Sequence, residues 1–122
     1  MSDEFLKVAK QEIQSGFDEL ERIVLHCNSD ELLFKNSQSI EAHLHKISGL
    51  APMAEHEKVG QMAKTMDNLL KHIISNGMLS GSCHVVSTAI GEMKKAFHDM
   101  NACDVAEFRR RMHDRFPDIP NL

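Results

Sequence analysis

Ile40-Glu41-Ala42-His43-Leu44-His45-Lys46-Ile47-Ser48-Gly49-Leu50-Ala51-Pro52-Met53-Ala54 is the stretch from which the fold of this chain can be read. Ile40, Leu44, Ile47, Ala51 and Ala54 recur at steps of four, three, four and three, which is one face of an α-helix. His45 follows Leu44 by one residue, about 100° round the helix from the apolar stripe. That position is the edge of a core, where an imidazole is supported on one side and open to water on the other. Gly49, one turn later, leaves the space above the ring clear. A mid-helix glycine costs roughly 1 kcal/mol against alanine, so its presence asks for a reason, and access of a partner to His45 supplies one. Pro52 restrains Ala51 and has no N–H, so the helix is expected to end or kink at about Ala51.

The same periodicity extends in both directions. Ser2 is placed to cap a first helix whose opening turn carries Asp3 and Glu4, favourable at the positive end of the helix dipole. Phe5, Ile13, Phe17, Leu20 and Val24 carry that helix to about Cys27, and Gly16 interrupts it without ending it. Leu32-Leu33-Phe34 reads as a helical turn, and Asn36-Ser37-Gln38-Ser39 offers caps for the central helix. Val59, Met62, Met66, Leu69, Leu70 and Ile73 line a third long helix from about His56 to Ser75, stopped by Asn76-Gly77. Ser82 opens a fourth, to about Met100, whose Val86, Ile90, Met93, Phe97 and Met100 repeat in the manner of bundle packing. Asp104 caps a last helix that ends before Phe116-Pro117. No segment alternates with period two. The expectation is all-α: a single domain over 1–122, with an antiparallel four-helix bundle over about 3–100 and a short C-terminal helix over about 104–116.

Composition excludes several functions. The 122 residues carry a formal charge of −4, and neither Trp nor Tyr is present, so a nucleic-acid partner is not expected. No apolar run approaches the roughly 20 residues of a membrane span, and no signal-peptide hydrophobic region opens the chain. Cys27, Cys83 and Cys103 are odd in number and widely spaced, which reads as reduced thiols in a cytoplasmic protein. Eight methionines serve as flexible core filler. No phosphate-binding glycine loop, dinucleotide fingerprint or zincin pair occurs. His43 and His45 stand two apart and point in nearly opposite directions, and Glu41-Ala42-His43-Leu44 lacks the Glu-x-x-His spacing of di-iron bundles. His26, His72, His84, His98 and His113 are scattered, so neither a metal nor a cofactor is expected.

Ala42-His43-Leu44-His45-Lys46-Ile47-Ser48-Gly49 resembles the phosphorylation segment of histidine-containing phosphotransfer (HPt) domains. In that family the pattern is histidine, any residue, an aliphatic residue, commonly lysine, then glycine. His45, Ile47 and Gly49 meet it, and the likeness extends to the order of the four long helices. The chain looks most like stand-alone HPt proteins and the phosphotransfer domain of chemotaxis histidine kinases. The resemblance implies a phosphorelay intermediate that carries a phosphoryl group on His45 between receiver-domain aspartates, without autokinase activity. Its partners would be response-regulator receivers, which bring their own Mg²⁺, and a hybrid histidine kinase; the chain itself would be a monomer.

Two departures from the pattern affect the site. The lysine commonly found three residues after the histidine is Ser48 here, and the glycine that the family often has after the histidine helix is Glu55. On the third helix Gly60, Lys64, Asp67 and Lys71 form a stripe bordering the buried face. The family pattern puts Asp67 where chemotaxis phosphotransfer domains carry a histidine-orienting glutamate, and Lys64 is the candidate for the missing phosphate-neutralising charge. The competing reading of the stripe is a solvated Lys64–Asp67–Lys71 ladder worth a few tenths of a kcal/mol per pair. His43 is a rival nucleophile, but Ile47 would then stand where the glycine belongs. Lys46 points to another face, and Arg109-Arg110-Arg111 is either a docking charge or a solvated helix end. The alternative functions are a non-catalytic helical interaction module and a metal- or haem-binding bundle.

Overall fold

The computed structural model describes residues 2–122. Six α-helices follow in order: α1 (Asp3–Leu25), α2 (Asp30–Lys35), α3 (Ser37–Met53), α4 (Glu57–Asn76), α5 (Ser82–His98) and α6 (Val105–Arg115). A turn of 3-10 helix, Met100–Ala102, separates the last two, and no strand occurs among the described residues. The long helices α1, α3, α4 and α5 form a ring in which each packs on the next and α5 closes on α1. The cross-helix pairs run in opposite senses. Ile47 lies against Gly16 while His43, a turn earlier, lies toward Glu19, and Phe17 meets Phe97 while Lys94 reaches Glu21. Lys58 at the start of α4 donates to the carbonyl of Met100 beyond the end of α5. The bundle is therefore antiparallel.

Sequence periodicity explains the core. Ala9, Ile13, Phe17, Leu20 and Ile23 of α1 are buried in one core with Ile40, Leu44, Ile47 and Ala51 of α3 and the apolar face of α4. On α4, which packs against α3, α5 and α6, that face comprises Val59, Met62, Ala63, Met66, Leu69, Leu70 and Ile73. From α6, Phe108 and Met112 are buried, and Phe116 and Ile119 follow them into the interior. The three cysteines are free. No helix of the described residues is long and apolar enough to cross a membrane.

Local differences from the sequence reading have physical causes. The first helix ends at Leu25, two residues before Cys27, whose thiol turns back to the Ile23 carbonyl. The fourth ends at His98, because Asp99 is extended and caps the 3-10 turn by accepting from Asn101 N–H. Ser2 and Asp104 do cap α1 and α6, accepting from the N–H groups of Phe5 and Glu107. Asn36 stands at the N-cap of α3 without a side-chain capping bond and instead donates back to Leu32 of α2. Ser82 is not the cap of α5: Gly81 occupies that position in a left-handed conformation, φ 83°. The N–H groups there are met from another element, with Asp30 of α2 accepting from Gly81 N–H and Cys83 N–H at 2.9 Å each.

The end of α3 bears most on the site. The helix runs past Pro52 to Met53: the proline leaves the Ser48 carbonyl without its helical N–H and crowds it, but only one helical residue follows. Glu55 then adopts the left-handed conformation, φ 67°, with its N–H on the Pro52 carbonyl and that of His56 on Ala51. These two bonds form a Schellman cap, which is normally built on glycine. The Pro52 ring packs onto Gly60 of α4, where an added Cβ would lie 2.8 Å from both Cγ and Cδ. Gly60 is thus a close-approach glycine that seats α3 against α4, and it sets their register around His45.

Candidate functional site

His45 projects from α3 with its side chain 67% exposed, while Asp67 rises from α4 with its side chain 4% exposed. Nδ1 of His45 and Oδ2 of Asp67 are 3.0 Å apart. A carboxylate can only accept, so the ring hydrogen belongs on Nδ1, leaving the Nε2 lone pair for the open side. Lys71, one turn further along α4, brings its Nζ to 3.2 Å from the same Oδ2. Glu41, one turn before His45 on α3, holds Oε2 3.9 Å from Nδ1. Burial works to raise the Asp67 carboxyl, but the Glu41 carboxyl, the His45 ring and the Lys71 ammonium around it outweigh that and hold the group below the usual carboxylate range. Glu41 moves the other way: the neighbouring Asp67 carboxyl and then burial push it up against the pull of Lys71 and His45.

The burial of Asp67 excludes a solvated charge ladder as its setting. Lys71 contributes the ammonium on that carboxylate. Lys64, expected there from the stripe, is exposed and lines a separate hollow with Gln61, Asn68, Arg109 and Asn121 on the α6 side. The antiparallel register, with 45 opposite 67 and 51 opposite 60, sets Lys64 level with Ser48. The Ser48 hydroxyl turns back to the His45 carbonyl at 2.7 Å. Gly49 is exposed, and a Cβ built there meets nothing within 4 Å. Packing within the chain therefore does not require glycine at 49. Lys46 faces α1, where it pairs with Glu12 at 2.7 Å, and His43 lies toward Glu19 of the same helix. Neither joins the site.

Glu41 and Lys71 had no role in the sequence reading of the site. Their signal was present: each stands four residues from a site residue on the same helix, the spacing at which side chains meet. Glu41, His45 and Asp67 each offer one ligand atom, and these lie within 4.8 Å of one another. Two carboxylates and an imidazole suit a divalent cation in principle. The Lys71 ammonium, 3.2 Å from Oδ2, already places a positive charge on that oxygen.

No protein-family model, curated protein or solved structure matches the chain.

Proposed function

We propose that the protein is a phosphohistidine carrier of the HPt type, a phosphorelay intermediate between receiver-domain aspartates. One observation supports this above the others: an exposed imidazole whose Nδ1 is bound by a buried carboxylate of the neighbouring helix. Such a ring offers Nε2 as a nucleophile to an incoming partner. The Nε2 lone pair forms an N–P bond as the P–O bond to the donor aspartate breaks. The ring gains positive charge, which the Asp67 carboxylate offsets through the Nδ1 hydrogen. Transfer to a second receiver reverses these bonds.

Phosphoryl transfer of this kind depends on positioning and charge neutralisation, and the chain's part is correspondingly small. Mg²⁺ and the acceptor or donor aspartate come from the receiver. Gly49 keeps the approach to Nε2 low. Lys64, level with Ser48 and exposed, is the chain's own candidate for the phosphate charge. The chain has no nucleotide-binding motif, so ATP alone is expected to leave it unlabelled.

The test is incubation with a panel of phosphorylated receivers. Wild type gains an acid-labile phosphoryl group, and His45→Gln gains none. Asp67→Ala is labelled more slowly by about 10- to 150-fold, the rate equivalent of a charge-assisted hydrogen bond worth about 1.5–3 kcal/mol. Labelling of His45→Gln at the wild-type rate would remove His45 from the mechanism, and failure of every receiver would favour a non-catalytic interaction module.

A further inference from the structure

The second oxygen of Asp67 is unexplained by the pairings above. Oδ2 receives both the His45 N–H and the Lys71 ammonium, whereas Oδ1 is fully enclosed and has no hydrogen-bond partner. Water cannot reach it. The charged and titratable groups facing this carboxylate are Glu41 and His45 from α3 and Lys71 from α4. His45 and Lys71 are committed to Oδ2. Glu41 is held inward, its side chain 21% exposed, with a carboxyl oxygen within 4.8 Å of both His45 and Asp67. In the ionised form it would set two carboxylates face to face with no hydrogen between them.

We propose that Glu41 is a positioning residue that acts as a neutral acid, its O–H donating to Oδ1 of Asp67 and so holding Oδ2 toward His45. With that hydrogen in place, both oxygens of the buried carboxylate are satisfied. Asp67 then has no reason to rotate or to admit water, and the Nδ1–H tautomer is held. Once Glu41 loses the proton, the like charges repel. Glu41, near the surface, swings out, and Asp67 becomes free to turn. The raised proton affinity of Glu41 agrees in direction with the geometry. The part that Glu41 plays in phosphotransfer rests on the function proposed above, whereas its effect on the imidazole does not.

The experiment follows the ring nitrogens of His45 by ¹⁵N NMR across about pH 4 to 8 in wild type, Glu41→Gln and Glu41→Ala. Glutamine offers an amide hydrogen at every pH, so Glu41→Gln is expected to hold the Nδ1–H tautomer wherever the ring is neutral. Wild type is expected to show an extra inflection as Glu41 ionises, and Glu41→Ala a mixture of tautomers. With a competent receiver, Glu41→Gln should transfer at least as fast as wild type, and Glu41→Ala about tenfold more slowly. Identical tautomer and pH behaviour in Glu41→Ala and wild type would overturn the proposal, as would Glu41→Gln behaving like Glu41→Ala. A change in the wild-type spectrum on adding EDTA would also overturn it, by putting a cation where the proton is proposed. If the tautomers behave as expected but no receiver labels the wild type, it is the phosphotransfer reading that fails and the role of Glu41 stands.

Discussion

An imidazole that takes a phosphoryl group on Nε2 must keep its hydrogen on Nδ1, and at residue scale the site serves that requirement. Asp67 is one carbon shorter than the glutamate of the chemotaxis pattern, yet its Oδ2 closes on Nδ1 at 3.0 Å. Gly49 is the complementary residue, and its effect on stability is separable from its effect on access. Because a side chain there meets open space, Gly49→Leu is expected to stabilise the isolated protein by roughly 0.5–1 kcal/mol of helix propensity. The same variant should accept phosphate from a receiver markedly more slowly. Urea denaturation beside a transfer assay separates the two, and a Gly49→Leu protein that transfers normally would refute the access role. His45, Asp67 and Gly49 were legible as candidates from spacing and pattern. Glu41 and Lys71 lay on the same two helix faces, but their part depends on which carboxylate oxygen is buried, and no spacing rule reports that.

At the scale of the element, the end of α3 carries backbone strain. Glu55 sits at φ 67°, where a side chain is disfavoured by about 1–2 kcal/mol and glycine is not. Glu55→Gly is therefore expected to raise stability by about 1 kcal/mol, after the extra chain entropy of glycine is set against the relieved strain. A lower urea midpoint in that variant would show the cap is held by something else. Element existence and order were readable because burial follows the 3.6-residue period closely in all four long helices. Their ends were less so. The overrun past Pro52 is tolerated because Gly60 leaves room for the proline ring, a contact between residues on different helices.

For the whole molecule, Asp30 ties α2 to the start of α5 and closes one end of the bundle. Its carboxylate takes hydrogen bonds from the backbone of Cys83 and then Gly81, which hold it below the usual carboxylate range. A depressed folded-state value means that this stabilisation is fully present above the ordinary 3.8 and fades as pH falls through the folded-state value. Asp30→Ala should thus lose about 1–2 kcal/mol at neutral pH, with the gap from wild type narrowing in acid. Paired denaturation curves at the two pH values check it, and a gap independent of pH would assign the loss to packing. Chain order and apolar spacing made the antiparallel ring legible in advance. This cross-cap was not, since a lone aspartate before Leu32 gives no hint of the helix it will serve.

The central claim is that Nε2 of His45 is the atom that carries phosphorus. Loading ¹⁵N-labelled protein from a phosphorylated receiver and locating the phosphorus by ³¹P–¹⁵N correlation NMR tests it most directly. The account predicts one acid-labile phosphoryl group, bonded to Nε2 of His45, with the hydrogen still on Nδ1. Phosphorus on Nδ1, on His43 or on any other side chain would contradict it.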